Sequence, residues 1–269
     1  MGLGMGKAAW TIVIPVLNEG QTLGRLLERI YRLPGISRCE VVVVDGGSTD
    51  HTRDAFIEAA RVHPRLYLLD APRGKGIGLR QAFARAQGRY IAFLDGDLQY
   101  SPSDLPKLMR AVEHGMDLVV SRRRVVWPDH SVRRLASRAF SHLGRSMLGL
   151  PASDPQSGMK AFRASLLPNL HLSARHWGLD VELIRQAQRA GARIAEVEIE
   201  FHPRTAGSTK TGLLSTSFDL LHTALRESSR KEGDSQAPPT WLHPSSSTQK
   251  IAAARLRPSS RRRGRRGHV

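Results

Sequence analysis

Hydrophobic residues along this chain follow two alternating rhythms. Compact apolar runs have the length and β-branched content of strands: Trp10-Thr-Ile-Val-Ile14, Cys39 to Val44, Leu66 to Leu69, Tyr90 to Leu94 and Asp117 to Ser121. Between them the spacing is helical. Leu23, Leu26, Leu27 and Ile30 share one face of a helix opened by Asn18-Glu19, and further helices are expected near Thr52, from Arg73-Gly-Lys-Gly-Ile-Gly78 to Gln87, and over residues 103–114. Strands this apolar are buried on both faces. Their alternation with helices from residue 10 to about 120 predicts an α/β fold, a Rossmann-like and mostly parallel central sheet with helices on both faces.

The pattern continues less regularly in the second half. Leu135, Ala139, Leu143 and Met147 mark the core face of a helix from Ser131 to about Leu148, with Arg133 and Ser137 on one neighbouring stripe and Arg134 and Arg138 on another. Asp154-Pro-Gln-Ser-Gly-Met-Lys-Ala-Phe-Arg163 reads as a turn entering a short strand. A helix from Leu179 to Arg189 carries Asp180 and Glu182 in its first turn, where capping and dipole compensation account for acids. A strand, Ile194 to Phe201, leads into the basic loop His202-Pro-Arg-Thr-Ala-Gly-Ser-Thr-Lys210. Then Leu214, Phe218, Leu221 and Leu225 set out an amphipathic helix, with Ser215, Asp219, His222 and Thr223 opposite. Its apolar face suits either the protein's own core or a membrane surface.

Composition changes this picture at the C-terminal end. Of the 269 residues, those from 226 onward include 11 Lys and Arg against 3 Asp and Glu, with few apolar residues, and they close on Arg261-Arg-Arg-Gly-Arg-Arg266. Such a segment reads as a basic disordered tail over 226–269, following a folded domain over 1–225 with halves at about 10–120 and 121–225. The formal net charge of +17 implies an anionic partner: nucleic acid, a phosphate-bearing substrate or an acidic membrane surface. Seven arginines stand against one acid between residues 121 and 150, which favours anion binding there. The single cysteine, Cys39, excludes an internal disulfide and a cysteine metal cage. No secretory h-region is expected, and the longest apolar runs fall far short of the roughly 20 residues of a membrane span.

Candidate chemistry gathers at three strand ends: Pro15 to Glu19, Asp45 to Ser48 and Asp95 to Gln99. In a parallel sheet such ends share one edge, where ligands bind. Asp95 and Asp97, separated by a glycine, can turn toward one divalent cation, with Gln99 as a neutral oxygen ligand. Arg73-Gly-Lys-Gly adds cations and free amides suited to phosphate. Together these features describe a nucleotide-diphosphate site with a divalent metal.

Six ordered motifs carry a resemblance over about residues 10–225. They are Val13-Ile-Pro-Val-Leu-Asn-Glu19, Val44-Asp-Gly-Gly-Ser-Thr-Asp50, Gly74-Lys-Gly76, Asp95-Gly-Asp-Leu-Gln99, Ser157-Gly-Met-Lys160 and Arg204-x-x-Gly-Ser-x-Lys210. The chain resembles inverting glycosyltransferases of the GT-A fold, in the dolichyl- or polyprenyl-phosphate mannosyltransferase branch. By that resemblance Pro15, Glu19 and Asp45 should hold the nucleotide base and ribose. Asp95, Asp97 and Gln99 should hold Mg²⁺ or Mn²⁺ and the diphosphate, with Lys75 beside the latter. Arg122, Arg133, Ser137, Arg204 and Lys210 should surround the donor and acceptor phosphates. Gly46 stands where many such proteins have a second Asp, and the C-terminal membrane helices many of them carry are not expected here.

The implied reaction moves mannose or glucose from a nucleotide sugar of the GDP-mannose or UDP-glucose type to a polyprenyl monophosphate. It is expected at the cytosolic face of a membrane, with the protein peripheral and the tail near anionic lipid. A phosphate with a second pKa near about 6 is already ionised at neutral pH and needs no general base. A glycosyltransferase with a soluble hydroxyl acceptor would need one, for which Asp180, Glu182 and Asp154 are candidates. A third reading is a nucleic-acid-binding protein, acting through its tail, whose sugar-nucleotide domain is structural.

Overall fold

A computed structural model describes residues 8–63, 65–125, 149–202, 222–223, 225–229 and 252–253. Its strands are β1 (Trp10–Val16), β2 (Glu40–Asp45), β3 (Leu66–Asp70), β4 (Tyr90–Leu94), β5 (Leu118–Val125), β6 (Met159–Arg163), β7 (Ile194–Phe201) and the two-residue β8 (Ala252–Ala253). Its α-helices are α1 (Leu23–Tyr31), α2 (Thr52–Ala60), α3 (Lys75–Arg85), α4 (Leu105–Glu113) and α5 (Gly178–Arg189). The strands form one sheet in the order β7-β5-β6-β4-β1-β2-β3-β8. The pairs β1–β2, β2–β3, β1–β4 and β5–β7 are parallel, and β6 runs antiparallel between β4 and β5. The expected α/β architecture is present, with one reversed strand in its middle.

Alternation along the strands builds two cores. Val13, Val42, Val44 and Phe93 point to the face covered by Leu79 and Phe83 of α3 and by Leu179, Leu183 and Ile184 of α5. Ile12, Ile14, Val41 and Val43 point the other way, against Leu23, Leu26, Leu27 and Ile30 of α1, Phe56 of α2 and Leu105 and Leu108 of α4. Both sheet faces are therefore dry, which accounts for the unbroken apolar runs.

Several boundaries differ from the sequence expectation for identifiable reasons. Asn18 adopts a left-handed backbone (φ 52°), and Thr22 and Leu23 amides return to the Glu19 carbonyl, so α1 starts at Leu23 rather than at Asn18-Glu19. β5 runs to Val125 instead of Ser121 because β7 pairs with it throughout, from Leu118 opposite Ile194 to Val125 opposite Phe201. Arg122 and Arg124 then ladder with Glu198 and Glu200 across that pair.

The helical segment at residues 225–229 docks on α5. Glu227 is buried and accepts from Gln186 Nε2 (3.1 Å), its carbonyl accepts from Arg189, and Arg226 pairs with Glu182. A domain boundary at residue 225 thus falls inside a docked segment. Thr223, assigned from sequence to the polar side of its helix, is buried against Gly178, while Leu225 is exposed. The expected helix at Ser131 to Leu148, most of the one at Leu213 to Leu225, and the tail apart from its described residues lie outside the described residues.

Candidate active site

The parallel strands β1, β2 and β4 deliver their C-terminal ends to one edge of the sheet. Because β6 is antiparallel, its first residues reach that same edge: Met159 lies opposite Leu94, and the Asp95 amide donates to the Gly158 carbonyl (3.2 Å). The loop before α5 closes a fourth side. Its Ala174 and Arg175 carbonyls press on the start of α3, where a Cβ at Gly76 would stand 2.3 Å from the Ala174 oxygen. Glycine is required there for steric reasons alone.

The β1 and β2 loops are bound to each other. Asn18 N donates to Ser48 Oγ (2.9 Å), Thr49 N to Asn18 Oδ1 (2.8 Å), and Ser48 N to Asp45 Oδ1 (2.8 Å). Glu19 is nearly buried: its amide donates to Thr52 Oγ1 (2.8 Å) and its carboxylate lies 3.0 Å from the Thr22 hydroxyl. That hydroxyl is also 3.0 Å from the Gly96 carbonyl, tying the β1 loop to the aspartate loop. Asp45 is buried with Arg53 at 3.8 Å. Pro15, Glu19 and Asp45 are thus brought to one rim, beside Asp95 and Asp97.

The aspartate loop is held in a strained form. Leu98 is left-handed (φ 60°), a conformation that costs a non-glycine residue about 1–3 kcal/mol and signals a constrained site. It lets Asp97 Oδ1 accept from Gln99 N (3.1 Å). Gln99 is fixed in turn by His202, whose amide donates to the Gln99 carbonyl (2.9 Å). Asp95 lies against Gly158 so closely that a Cβ there would sit 1.9 Å from Asp95 Oδ2. The Gly158 amide donates to Tyr100 Oη (2.6 Å), and burial pushes that phenol up to about 12.

A chain of buried charges runs through this site. Lys75 Nζ is 2.8 Å from Asp95 Oδ1 and 3.3 Å from Asp180 Oδ2, and Lys160 Nζ is 2.6 Å from Asp180 Oδ1. Lys160 is fully buried and Asp180 is 1% exposed. Trp177 and Phe93 lie 4.6 and 5.9 Å from the Lys75 ammonium. Burial disfavours the charged form of Lys75, yet Asp180 and Asp95 outweigh it and hold its pKa above the ordinary lysine value. Burial likewise works against the Asp180 carboxylate, but Lys160 and Lys75 hold it below the usual range. For Asp95 burial wins, with Asp97 adding to it and Lys75 opposing both, so its pKa is raised.

Asp180 corrects the sequence reading. Capping and dipole compensation do not suffice for it: it is the shared counter-ion of two lysines distant in sequence. The readable signal is Lys160 itself, a lysine set among Met159, Ala161 and Phe162, which demands a buried partner. Glu182 is equally committed, accepting from Ser173 N (2.9 Å), Ser173 Oγ (3.0 Å) and Ala174 N (2.8 Å) besides Arg226. Asp154 takes Arg123 in two bonds of 2.6 and 2.7 Å.

Arg122 is not brought to the aspartates: it pairs with Glu198 (2.6 Å) and is half exposed. Its neighbour Arg123, one residue on and therefore on the other face of β5, is the guanidinium that turns toward Tyr100 and Phe201. Arg133, Ser137, Arg204 and Lys210 lie outside the described residues.

The donor set suits a hard divalent ion. Two neighbouring carboxylates that repel one another in a buried loop offer oxygen ligands of the kind Mg²⁺ and Mn²⁺ prefer. Among the described residues no cluster of three or more His, Cys, Asp or Glu is arranged for a metal. With Gln99 as a neutral oxygen beside them, water and a diphosphate would complete the shell, the usual situation for Mg²⁺ beside phosphates.

A reversed strand within a parallel sheet and an acidic loop at its edge define the class, GT-A-fold glycosyltransferases. The glucosyl-3-phosphoglycerate synthase of Mycobacterium tuberculosis, solved with Mn²⁺, UDP and glucosyl-3-phosphoglycerate, matches 85% of this chain and 82% of its own at a TM-score of 0.68 and 25% identity. The chain belongs to glycosyl transferase family 2, whose sequence profile matches residues 11–170. A glycosyltransferase of M. tuberculosis is 33% identical over 213 residues, covering 77% of this chain and 91% of the relative. The undecaprenyl-phosphate mannosyltransferase of Micrococcus luteus is 32% identical over 213 residues, covering 74% and 85%. The resemblance to the polyprenyl-phosphate branch is thereby borne out, and the protein is an enzyme of the glycosyltransferase class.

Proposed function

We propose that this enzyme transfers a hexose, mannose or glucose, from a nucleotide-diphosphate sugar to a polyprenyl monophosphate, with inversion at the anomeric carbon. The observation that carries this reading is the state of the three acids a hydroxyl acceptor would need. Asp180 is shared by Lys160 and Lys75, Asp154 is locked by Arg123, and Glu182 is filled by two amides, a hydroxyl and Arg226. A base must present a free oxygen to the acceptor hydroxyl, and the oxygens of these three carboxylates are already taken by the partners named. An acceptor that arrives already ionised needs none.

In this scheme Glu19 and Asp45, with Pro15, receive the nucleoside at the joined β1 and β2 loops. Asp95, Asp97 and Gln99 hold the diphosphate end with Mg²⁺ or Mn²⁺, which when bound supplies positive charge against the departing diphosphate. Lys75 adds a preorganised cation at the same point. The sugar develops oxocarbenium character as the bond to the diphosphate breaks, and the acceptor oxygen attacks the opposite face. Arg133, Ser137, Arg204 and Lys210 are assigned by resemblance to guide the acceptor phosphate.

The enzyme would meet its lipid-linked acceptor at the cytosolic face of a membrane as a peripheral protein; among the described residues no helix is long and apolar enough to cross one. The likeness to glucosyl-3-phosphoglycerate synthase favours a second reading, transfer to a soluble phosphorylated hydroxyl acceptor. One experiment separates the two. The purified full chain is incubated with labelled GDP-mannose or UDP-glucose, Mg²⁺ or Mn²⁺, and either a short polyprenyl phosphate or 3-phosphoglycerate. Label moving into organic solvent only with the polyprenyl phosphate supports the proposal; label joining only the phosphoglycerate overturns it.

A further inference from the structure

Lys75 raises a question that phosphate binding alone does not answer. Its ammonium lies at ion-pair distance from Asp95, one of the two carboxylates assigned to the divalent ion. The same ammonium lies 3.3 Å from Asp180, whose second oxygen is already taken by Lys160. Lys75 is therefore shared by two acids, one assigned to the ion and one paired with Lys160, with the Trp177 ring close by.

Charge balance turns that position into a constraint. Counted in their ionised forms, Asp95, Asp97 and Asp180 contribute three negative charges, and Lys75 and Lys160 two positive ones. The cluster is largely buried, so charge added without a compensating counter-charge is costly. A divalent ion entering alone changes the balance from one negative to one positive and must compete with Lys75 for Asp95. When a diphosphate enters with the ion, its two negative charges restore the starting balance. They also give Lys75 an anion to turn to, while Asp180 keeps the ammonium within reach.

We propose that Lys75 is a built-in placeholder cation: it occupies Asp95 in the free enzyme and makes tight divalent-ion binding conditional on the diphosphate of the donor. This rests on the assignment of Asp95 and Asp97 to the ion and donor given above. Its consequence is a binding order in which ion and nucleotide enter as one complex, so that the bare ion does not close the site.

The test is Mn²⁺ binding to the full chain, read by electron paramagnetic resonance of the free ion, alone and with saturating UDP or GDP. The wild type should bind Mn²⁺ weakly alone and at least about tenfold more tightly with one of the nucleotides. Lys75→Met should bind the bare ion about tenfold more tightly than the wild type, with most of the nucleotide enhancement gone. Lys75→Gln keeps a hydrogen-bond donor between the two acids while removing the charge, and should behave alike even where the methionine variant folds poorly; circular dichroism checks both folds. If the folded Lys75→Gln protein binds bare Mn²⁺ no more tightly than the wild type, the placeholder role is overturned. Failure of the wild type to bind Mn²⁺ with either nucleotide would instead overturn the ion and donor assignment itself.

Discussion

Gly158 offers the sharpest handle on the site, because its substitution acts on one carboxylate through one added methyl. In Gly158→Ala the new carbon would lie 1.9 Å from Asp95 Oδ2 and 2.6 Å from its Cγ. Normal separation requires the carboxylate to retreat by about 1.5 Å. Retreat is resisted, since Asp95 Oδ1 is held at 2.8 Å by Lys75 and the Asp95 amide is bonded to Gly158 itself. A displacement of about 1 Å in a catalytic group costs on the order of 100-fold in rate, or about 2.7 kcal/mol of transition-state stabilisation. Overpacking should lower stability by about 1–3 kcal/mol, leaving the protein folded at assay temperature. The measurements are initial rates of sugar transfer and nucleotide-dependent Mn²⁺ binding, with a thermal melt as control. A folded Gly158→Ala enzyme within about threefold of the wild type in both would refute the placement of Asp95 at the reacting end of the donor.

Other outcomes follow from the same geometry. Asp97→Ala should reduce transfer at least about 100-fold while leaving the melting temperature nearly unchanged; a fold collapse would show the residue to be structural. Removal of divalent ions with EDTA should abolish transfer and added Mn²⁺ restore it, and full activity in EDTA would contradict the ion assignment. Lys160→Met strips Asp180 of one partner and should destabilise the protein by roughly 3–5 kcal/mol, seen as a melting temperature lowered by about 6–20 °C. The Asp180 carboxyl has a folded pKa below its unfolded one. It therefore contributes stability in full above the unfolded value near about 4, and that stability is lost as pH falls through the lower folded value. The wild-type melting temperature should accordingly drop more steeply than that of Asp180→Asn on acidification below about pH 4; parallel curves would contradict the pairing.

Much of the fold was legible because local pattern and tertiary role agree. Tyr90–Leu94 and Ile194–Phe201 have the predicted limits, and the three polar strand ends meet at one edge as parallel strands require. What escaped the sequence is long-range. Nothing local marks β6 as reversed, and Asp180 reads as a helix-start acid until Lys75 and Lys160 are placed beside it. Of three successive arginines, pleating decides that Arg123 rather than Arg122 turns toward Tyr100, and strand phase was not readable in so short a run. The buried face of the helical segment near Leu225 differs from the expected one for a similar reason. Apolar spacing favours the leucines, whereas Gly178 leaves a recess that Thr223 fills.

The position of β6 has a bearing on protein engineering. Threaded between β4 and β5, it makes the later part of the chain a wedge in the sheet rather than a module appended to its edge. A chimaera that grafts residues 10–120 onto another acceptor-recognising segment would leave the flank of β4 unpaired and Lys75 without Asp180. Donor and acceptor preferences in this scaffold should therefore be exchanged by replacing loops at the sheet edge, not by cutting the chain in half.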